Sequence, residues 1–371
     1  MTVGTQLVAI KPKTPWISVI LVALNIVIAF WVQLVRPDWI ATHGFTSTMP
    51  TIPDSITGLF IHQNVLHLGG NMVALIAVGA WVEDALGWFK YLALYMAGGL
   101  AGVGVHWVAT HTAGNVPPLI GASGCVAALV AYGSIRYMWS KVTFAPRLKV
   151  PVVVVAGFWI ALQALGAFIK LGDTGGVSFW AHLGGIVAGM TIALVSGAPK
   201  QASLQHGRRI LADADTRSAS AVVAAATEHL KTHAGDMVAL IELAEAHQQL
   251  GDDAAELKTR IDMINLAIDA DLPTNIERLE ALGGLRQINS MQRCKWAETL
   301  FARHPESAIT LLKSVASGPD DDPQKPDAML SLVRRIEKSD PAQAKALIDE
   351  LRTKFPLHPA TAMAQTKGPS A

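Results

Sequence analysis

The sequence predicts an all-α protein, with a bundle of six membrane-spanning helices followed by a soluble α-helical domain. Three observations carry that expectation. Apolar runs of about 20 residues recur through the first half, long enough to cross a ~30 Å hydrocarbon core as helices. Charge is divided unevenly: residues 1–199 hold nine of the 30 basic and five of the 29 acidic residues, and residues 200–371 hold the rest. Basic residues also concentrate on alternate loops between the runs, which fixes an orientation. The boundaries that follow are 1–199 for the membrane domain and 200–371 for a cytosolic helical domain.

Taken in order, Met1 to Pro15 is a short polar leader with Lys11 and Lys13, and Trp16 to Val35 is the first apolar run. That run is too long for a signal-peptide core and no small-residue cleavage site follows it, so it reads as a true span. Residues 36–60 form a loop containing Pro50 and Pro53. The second run extends from His62 to Val82, before Glu83-Asp84, and the third from Lys90 to Ala109 with several glycines. The fourth follows Pro118 and continues to about Tyr137. The fifth is Val150–Ile169 and the sixth Val177–Ser196. One set of loops carries Lys11, Lys13, Lys90, Arg136, Lys141, Arg147 and Lys149, while the other set carries only Arg36 and Lys170. Both termini are therefore expected in the cytoplasm, in a multi-pass protein of the cell membrane, here a bacterial inner membrane.

Composition narrows the function. A net charge of +1 argues against nucleic acid as a partner. Cys125 and Cys294 fall in different halves, so no disulfide framework is implied. No His-Glu-x-x-His occurs, no metal site or cofactor is expected, and no pair of carboxylates lies within the spans. No charge sits mid-span to mark a transport pathway.

What the spans do carry is Leu119-Ile120-Gly121-Ala122-Ser123-Gly124-Cys125 in the fourth and Ala181-His182-Leu183-Gly184-Gly185 in the sixth. Histidine inside a span is costly and usually faces the bundle interior with a partner. Ser123 and His182 both lie five or six residues from the outer end of their runs, about 7–9 Å deep at ~1.5 Å per residue. His67 and Asn71 lie at a similar depth in the second run, four apart and hence on one helix face. Each group alone has a plain reading: a packing serine, a histidine bonded to a carbonyl, a pair of interhelical polar contacts. Gly185 and Gly189 alone indicate only close helix packing. Their joint placement suggests chemistry. Serine needs a base within hydrogen-bond reach to become a nucleophile. Neutral histidine can take that proton and return it to a leaving amine. The developing oxyanion needs donors, and backbone amides near Ser123, the Asn71 amide and the His67 ring are available. No buried acid is placed to orient His182, so the expectation is a dyad.

Residues 16–198 resemble a rhomboid intramembrane serine protease, through Gly121-Ala122-Ser123-Gly124, Ala181-His182-Leu183-Gly184-Gly185 with Gly189, and His67 with Asn71. Phe60-Ile61-His62 and the stretch Gly79 to Gly87 are similar to the two ends of the family's second span. The resemblance implies Ser123 as nucleophile and His182 as base, with His67, Asn71 and the backbone around Ala122 supporting the oxyanion. Gly121, Gly124, Gly185 and Gly189 would pack near the site. It further implies cleavage of single-span membrane proteins near their outer end, within the lipid bilayer. Two departures stand out: Pro53-Asp54 occupy the place of a Trp-Arg pair, and Ala127 that of a tyrosine stacked on the base. The alternative from a different class is a catalytically inactive rhomboid-like protein that binds transmembrane helices.

The tail is expected to be helical, with segments at Ser218–His233, around Val238–Ala244, and at Ala254–Ala270, Asn275–Gln287, Lys295–Arg303, Glu306–Val315, Asp327–Glu337 and Ala342–Phe355. Asp340-Pro341 has the form of a helix start. A tetratricopeptide-like repeat and an ordinary helical bundle are equal alternatives, and the tail is a candidate binder of a cytosolic protein.

Overall fold

The computed structural model describes residues 14–113, 116–145, 148–169, 178–266 and 272–365. The polar leader with Lys11 and Lys13, Arg147, the loop with Lys170 and Asp173, and the expected start of the sixth run at Val177 lie outside the described residues. The chain divides into two compact units, Met1–His206 and Gly207–Ala371.

All six apolar runs are helical. In chain order the first unit contains α1 (Trp16–Leu34), two short helices α2 (Trp39–His43) and α3 (Ile52–Thr57), α4 (Val65–Leu86), α5 (Trp88–Thr110) and α6 (Ser123–Arg136). A two-stranded antiparallel hairpin, β1 (Lys141–Ala145) and β2 (Leu148–Pro151), leads to α7 (Val152–Phe168) and α8 (Phe179–Val195). After a break at Gly197, α9 (Ala198–Asp215) follows. Among the described residues α1, α4 and α5 are each long and apolar enough to cross a membrane, and the bent pair α8 and α9 makes a fourth if counted as one span. Together they make a multi-pass helical membrane protein.

α6 has only 14 residues, about 21 Å at ~1.5 Å per residue and shorter than the hydrocarbon core. It is nonetheless the centre of the bundle, packed by α4, α5, α7 and α8, and buried along most of its length. The apolar pattern places its start near Pro118. The helix instead begins at Ser123, because residues before it take another backbone path: Leu119 forms an antiparallel bridge with Phe45, and Gly121 has φ 109°. Non-helical backbone at membrane depth is tolerated when protein satisfies it. Here the Leu119 and Phe45 N–H groups each donate to the other's carbonyl, at 2.8 and 3.0 Å, and the Gly121 N–H donates to the Gly58 carbonyl at 2.8 Å.

The loop with Pro53-Asp54 holds itself. Thr51 caps α3 by accepting from the Asp54 N–H at 3.1 Å, its hydroxyl donates to the Asp54 carboxylate at 2.6 Å, and Pro53 lies in the first turn. Such a cap satisfies donors that the first helical turn leaves open. The Thr57 hydroxyl, 2.8 Å from the His43 carbonyl, ties α3 to α2.

The second unit contains the rest of α9 and a succession of short helices: α10 (Ala219–Thr232), α11 (Met237–Leu250), α12 (Asp253–Leu266), α13 (Leu272–Ala281), α14 (Ser290–Leu300), α15 (Pro305–Ala316), α16 (Lys325–Ile336), α17 (Pro341–Lys354) and α18 (Pro359–Gln365). From α14 to α17 each helix packs on its successor. Asp340 caps α17 by accepting from the Gln343 N–H at 2.9 Å, with Pro341 in the first turn. The segment expected as one helix over 275–287 is interrupted at Gly283, which has φ 67° and separates α13 from a 3₁₀ turn at Gly284–Gln287. Residues 267–270, the expected end of the third tail segment, lie outside the described residues.

Candidate active site

Ser123 is the first residue of α6 and His182 the fourth of α8. The two helices meet through glycine. A Cβ at Gly185 would run into the Gly124 carbonyl, and one at Gly189 into the Ala128 carbonyl. Bringing two backbones this close requires hydrogen at those positions. The Gly124 position also lies against the Ala181 carbonyl, so Ser123 and His182 are each one residue along the chain from this contact. A small cavity of about 10 Å³ is lined by Gly121, Ser123, Gly124 and Ala181, with room for about one water-sized group. Among the described residues the Ser123 hydroxyl makes no hydrogen bond, to His182 or to any other side chain.

His67 and Asn71 occupy the first two turns of α4, whose start is later than the apolar pattern suggests. The helix begins at Val65 under the cap of Asn64, which accepts from the His67 N–H at 2.9 Å. Both residues close on the turn before the serine. A Cβ at Gly121 would lie 2.6 Å from His67 Cε1 and Nε2 and 3.6 Å from Asn71 Nδ2. Gly121 thus combines a left-handed backbone with a contact that leaves no space for a side chain. Asn71 Nδ2 donates to His62 Nε2 at 3.0 Å, and His62 Nδ1 donates to the Phe60 carbonyl at 3.2 Å. One Asn71 amide proton is used in this chain and the second is left beside Gly121. The His67 Nδ1 is buried without a hydrogen-bond partner. Ala122 is fully buried directly before the serine.

Residue type and spacing offer no partner for His182. The structure supplies one: Gln163 Oε1 accepts from His182 Nδ1 at 2.7 Å. The Trp159 ring lies nearly parallel to the imidazole, 30° off, with centroids 6.3 Å apart, and Phe179 meets it edge-on at 6.2 Å. Ala127 instead packs with Ile186, Trp159 and Leu183, and its Cβ stands 3.2 Å from where a Gly185 Cβ would be. A large ring at Ala127 would have to share that space. Behind the start of α8, Ser178 accepts from the Ala181 N–H at 3.2 Å and bonds His106 Nδ1 at 2.7 Å. No group of His, Cys, Asp and Glu able to hold a metal ion occurs among the described residues.

The fold and the clustered polar groups thus define a multi-pass helical membrane protein with a serine and a histidine at the ends of two tightly packed helices. Residues 52–199 match the rhomboid domain family, with α1 and the tail outside the matched region. Over 138 residues the chain is 30% identical to presenilin-associated rhomboid-like protein A, mitochondrial, of Danio rerio, covering 35% of this chain and 34% of that protein. Over 161 residues it is 29% identical to rhomboid protease GluP of Bacillus subtilis strain 168, covering 42% and 28%. Rhomboid protein 1, mitochondrial, of Saccharomyces cerevisiae is 30% identical over 140 residues, covering 36% and 39%. The chain therefore spans between 28% and 39% of the length of these relatives.

Proposed function

We propose that this chain is an intramembrane serine endopeptidase that cleaves single-span membrane proteins within the lipid bilayer. The observation that carries the reading is that the His67 and Asn71 side chains close on Gly121, two residues before Ser123, while glycine contacts stitch the helix of Ser123 to the helix of His182. In the proposed reaction His182 Nε2 takes the Ser123 hydroxyl proton as Oγ attacks the scissile carbonyl carbon. The oxyanion is met by the free Asn71 amide proton, the His67 ring and backbone N–H groups around Ala122 and Ser123. Collapse expels the amine, which takes the proton from His182, and a water molecule then hydrolyses the acyl-enzyme by the same route. The site lies opposite the loop that carries Arg136, Lys141 and Lys149, so cleavage is proposed near the outer end of the substrate helix, with both termini of this chain cytoplasmic.

The absence of a Ser123–His182 hydrogen bond favours a second reading, in which the chain binds transmembrane helices without cutting them. Reconstituting the protein with single-span substrates, and mapping products by mass spectrometry, separates the two. Ser123→Ala and His182→Ala should each abolish cleavage while leaving the melting temperature and substrate binding in place, since residues acting as one unit give non-additive losses. Full activity in folded Ser123→Ala would sink the protease. Binding without cleavage by the unmutated protein on every substrate would favour the inactive relative.

A further inference from the structure

Gln163 is the only polar residue in α7, an otherwise apolar helix of 17 residues, and it is buried. An amide in apolar surroundings is costly unless hydrogen-bonded, and here its oxygen is spent on His182 Nδ1. It belongs to a stripe. Trp159, Gln163 and Gly166 fall at i, i+4 and i+7, hence on one face of α7. Trp159 stacks on the imidazole, while the Phe179 ring lies where a Gly166 side chain would be, 2.5 Å from that Cβ position. The stripe docks α7 on the first turn of α8 and sets two contacts on the one ring.

We propose that Gln163 is a positioning residue for His182, holding the imidazole in the Nδ1–H tautomer so that Nε2 faces Ser123 as a base. This rests on the protease reading above. The chemistry is directional. An amide oxygen only accepts, so with Oε1 toward the ring the single proton of neutral imidazole sits on Nδ1 and the Nε2 lone pair is free. Turning the amide over would present an N–H donor to Nδ1, force the proton onto Nε2 and remove the base. When Nε2 takes the Ser123 proton, the ring becomes a cation whose Nδ1–H is a stronger donor to the same oxygen. The proton then leaves to the amine, and Gln163 is unchanged. A neutral amide does this without burying a second charge in the bundle. Trp159 takes the ring-stacking role that Ala127 cannot fill.

The test uses the full chain in lipid nanodiscs, as Gln163→Leu (similar in size, with no acceptor) and Gln163→Glu (an acceptor restored). In protein carrying ¹⁵N-histidine, the His182 signals are assigned by their loss in His182→Asn. The unmutated protein should show protonated Nδ1 and unprotonated Nε2, and Gln163→Leu should lose that preference. Cleavage of a reconstituted single-span substrate should fall about 10- to 100-fold in kcat with KM unchanged, less than the full ~10²- to 10⁴-fold that general-base catalysis supplies because His182 itself remains. Gln163→Glu should recover kcat. It should also move the acidic limb of the kcat/KM profile to higher pH, because a carboxylate on Nδ1 favours the charged ring. His67 is the other titratable group acting on that ring among the described residues, and it is the same in all variants. An unchanged tautomer in Gln163→Leu, unchanged kcat, or a loss that Gln163→Glu does not rescue would overturn the proposal. The tautomer is read without cleavage. Nδ1–H in an inactive unmutated protein would therefore remove the protease and leave Gln163 as the anchor of the ring, whereas equal cleavage by Gln163→Leu would do the reverse.

Discussion

Gly121 decides what the residues around Ser123 can do. Its φ of 109° and the His67 ring 2.6 Å from its Cβ position are two separate reasons against any side chain there. Gly121→Ala should cost about 1–3 kcal/mol through backbone strain and push the His67 ring aside. We expect a lower melting temperature and a larger fall in kcat than in KM, because the displaced groups are those proposed to meet the developing oxyanion. Wild-type kcat in this variant, by the same cleavage assay, would contradict that placement. Most of the candidate site was legible from residue type alone. A serine between glycines, two histidines and an asparagine, each in an apolar run and at one depth, seldom coincide without a chemical reason. Gln163 was not legible. One glutamine in an apolar run has no spacing signal, and only the packing of α7 on α8 gives it a partner.

Among the elements, α1 begins with an apolar segment that has no side-chain cap of its own. Its cap comes from the other end of α4. Glu83 Oε1 accepts from the Ile17 N–H at 3.0 Å, and Oε2 accepts from the Ser18 N–H and hydroxyl at 2.8 Å each. The Tyr91 hydroxyl, 2.9 Å from Ser18 Oγ, extends the network. A carboxylate at a helix N-terminus meets both the unpaired donors and the positive end of the dipole. Glu83→Ala leaves these buried donors unsatisfied and should lower stability by about 2 kcal/mol, with Glu83→Gln intermediate because one acceptor oxygen remains. A thermal melt of the detergent-solubilised protein checks the order, and an unchanged melting temperature in Glu83→Ala would rule out the cap. Hydropathy revealed these helices and the start of α1 at Trp16, but not where α4 and α6 start. It could not, because Pro118 to Ala122 is as apolar as the helix it precedes yet bridges to Phe45 instead of continuing it, and the start of α4 is set by the Asn64 side-chain cap, which hydropathy does not read.

At the scale of the whole molecule, both halves bury an apolar core, and they differ in what else joins their helices. The first unit joins helices through glycine and a few buried hydrogen bonds. The second adds, to its apolar core around Leu272, Leu311 and Met329, ion pairs to the buried carboxylates Asp236 and Glu256. Its charge and periodicity made a helical region legible in sequence, although the break at Gly283 and the helices α9 and α18 were not. Fragment 205–371 should therefore be soluble and helical when expressed alone, and its stability should depend on pH in a defined way. Burial, followed by Asp215, Glu245 and Asp236, pushes the Glu242 carboxyl up to about 7, and its Oε2 is buried without a partner. An acid raised in the folded state costs nothing while both states are protonated. As pH rises from its ordinary value near 4.5 toward about 7, the unfolded chain ionises first, so stability falls. Asp236 and Glu256 act the other way. Burial alone would raise both, but Arg208 and His229 hold Asp236 low, and Arg278 and Arg260 hold Glu256 low. Their contribution is present above the ordinary carboxylate range and is lost as pH falls through their folded values. The two slopes meet in mild acid, so the melting temperature of the fragment should peak near pH ~5 and decline toward pH 8. Glu242→Gln should remove the decline and raise the melting temperature at pH 8 while leaving the acid limb unchanged. A fragment whose melting temperature rises steadily from pH 5 to 8, or a Glu242→Gln variant with the unmutated profile, would show that this carboxyl is not held in its neutral form by the fold.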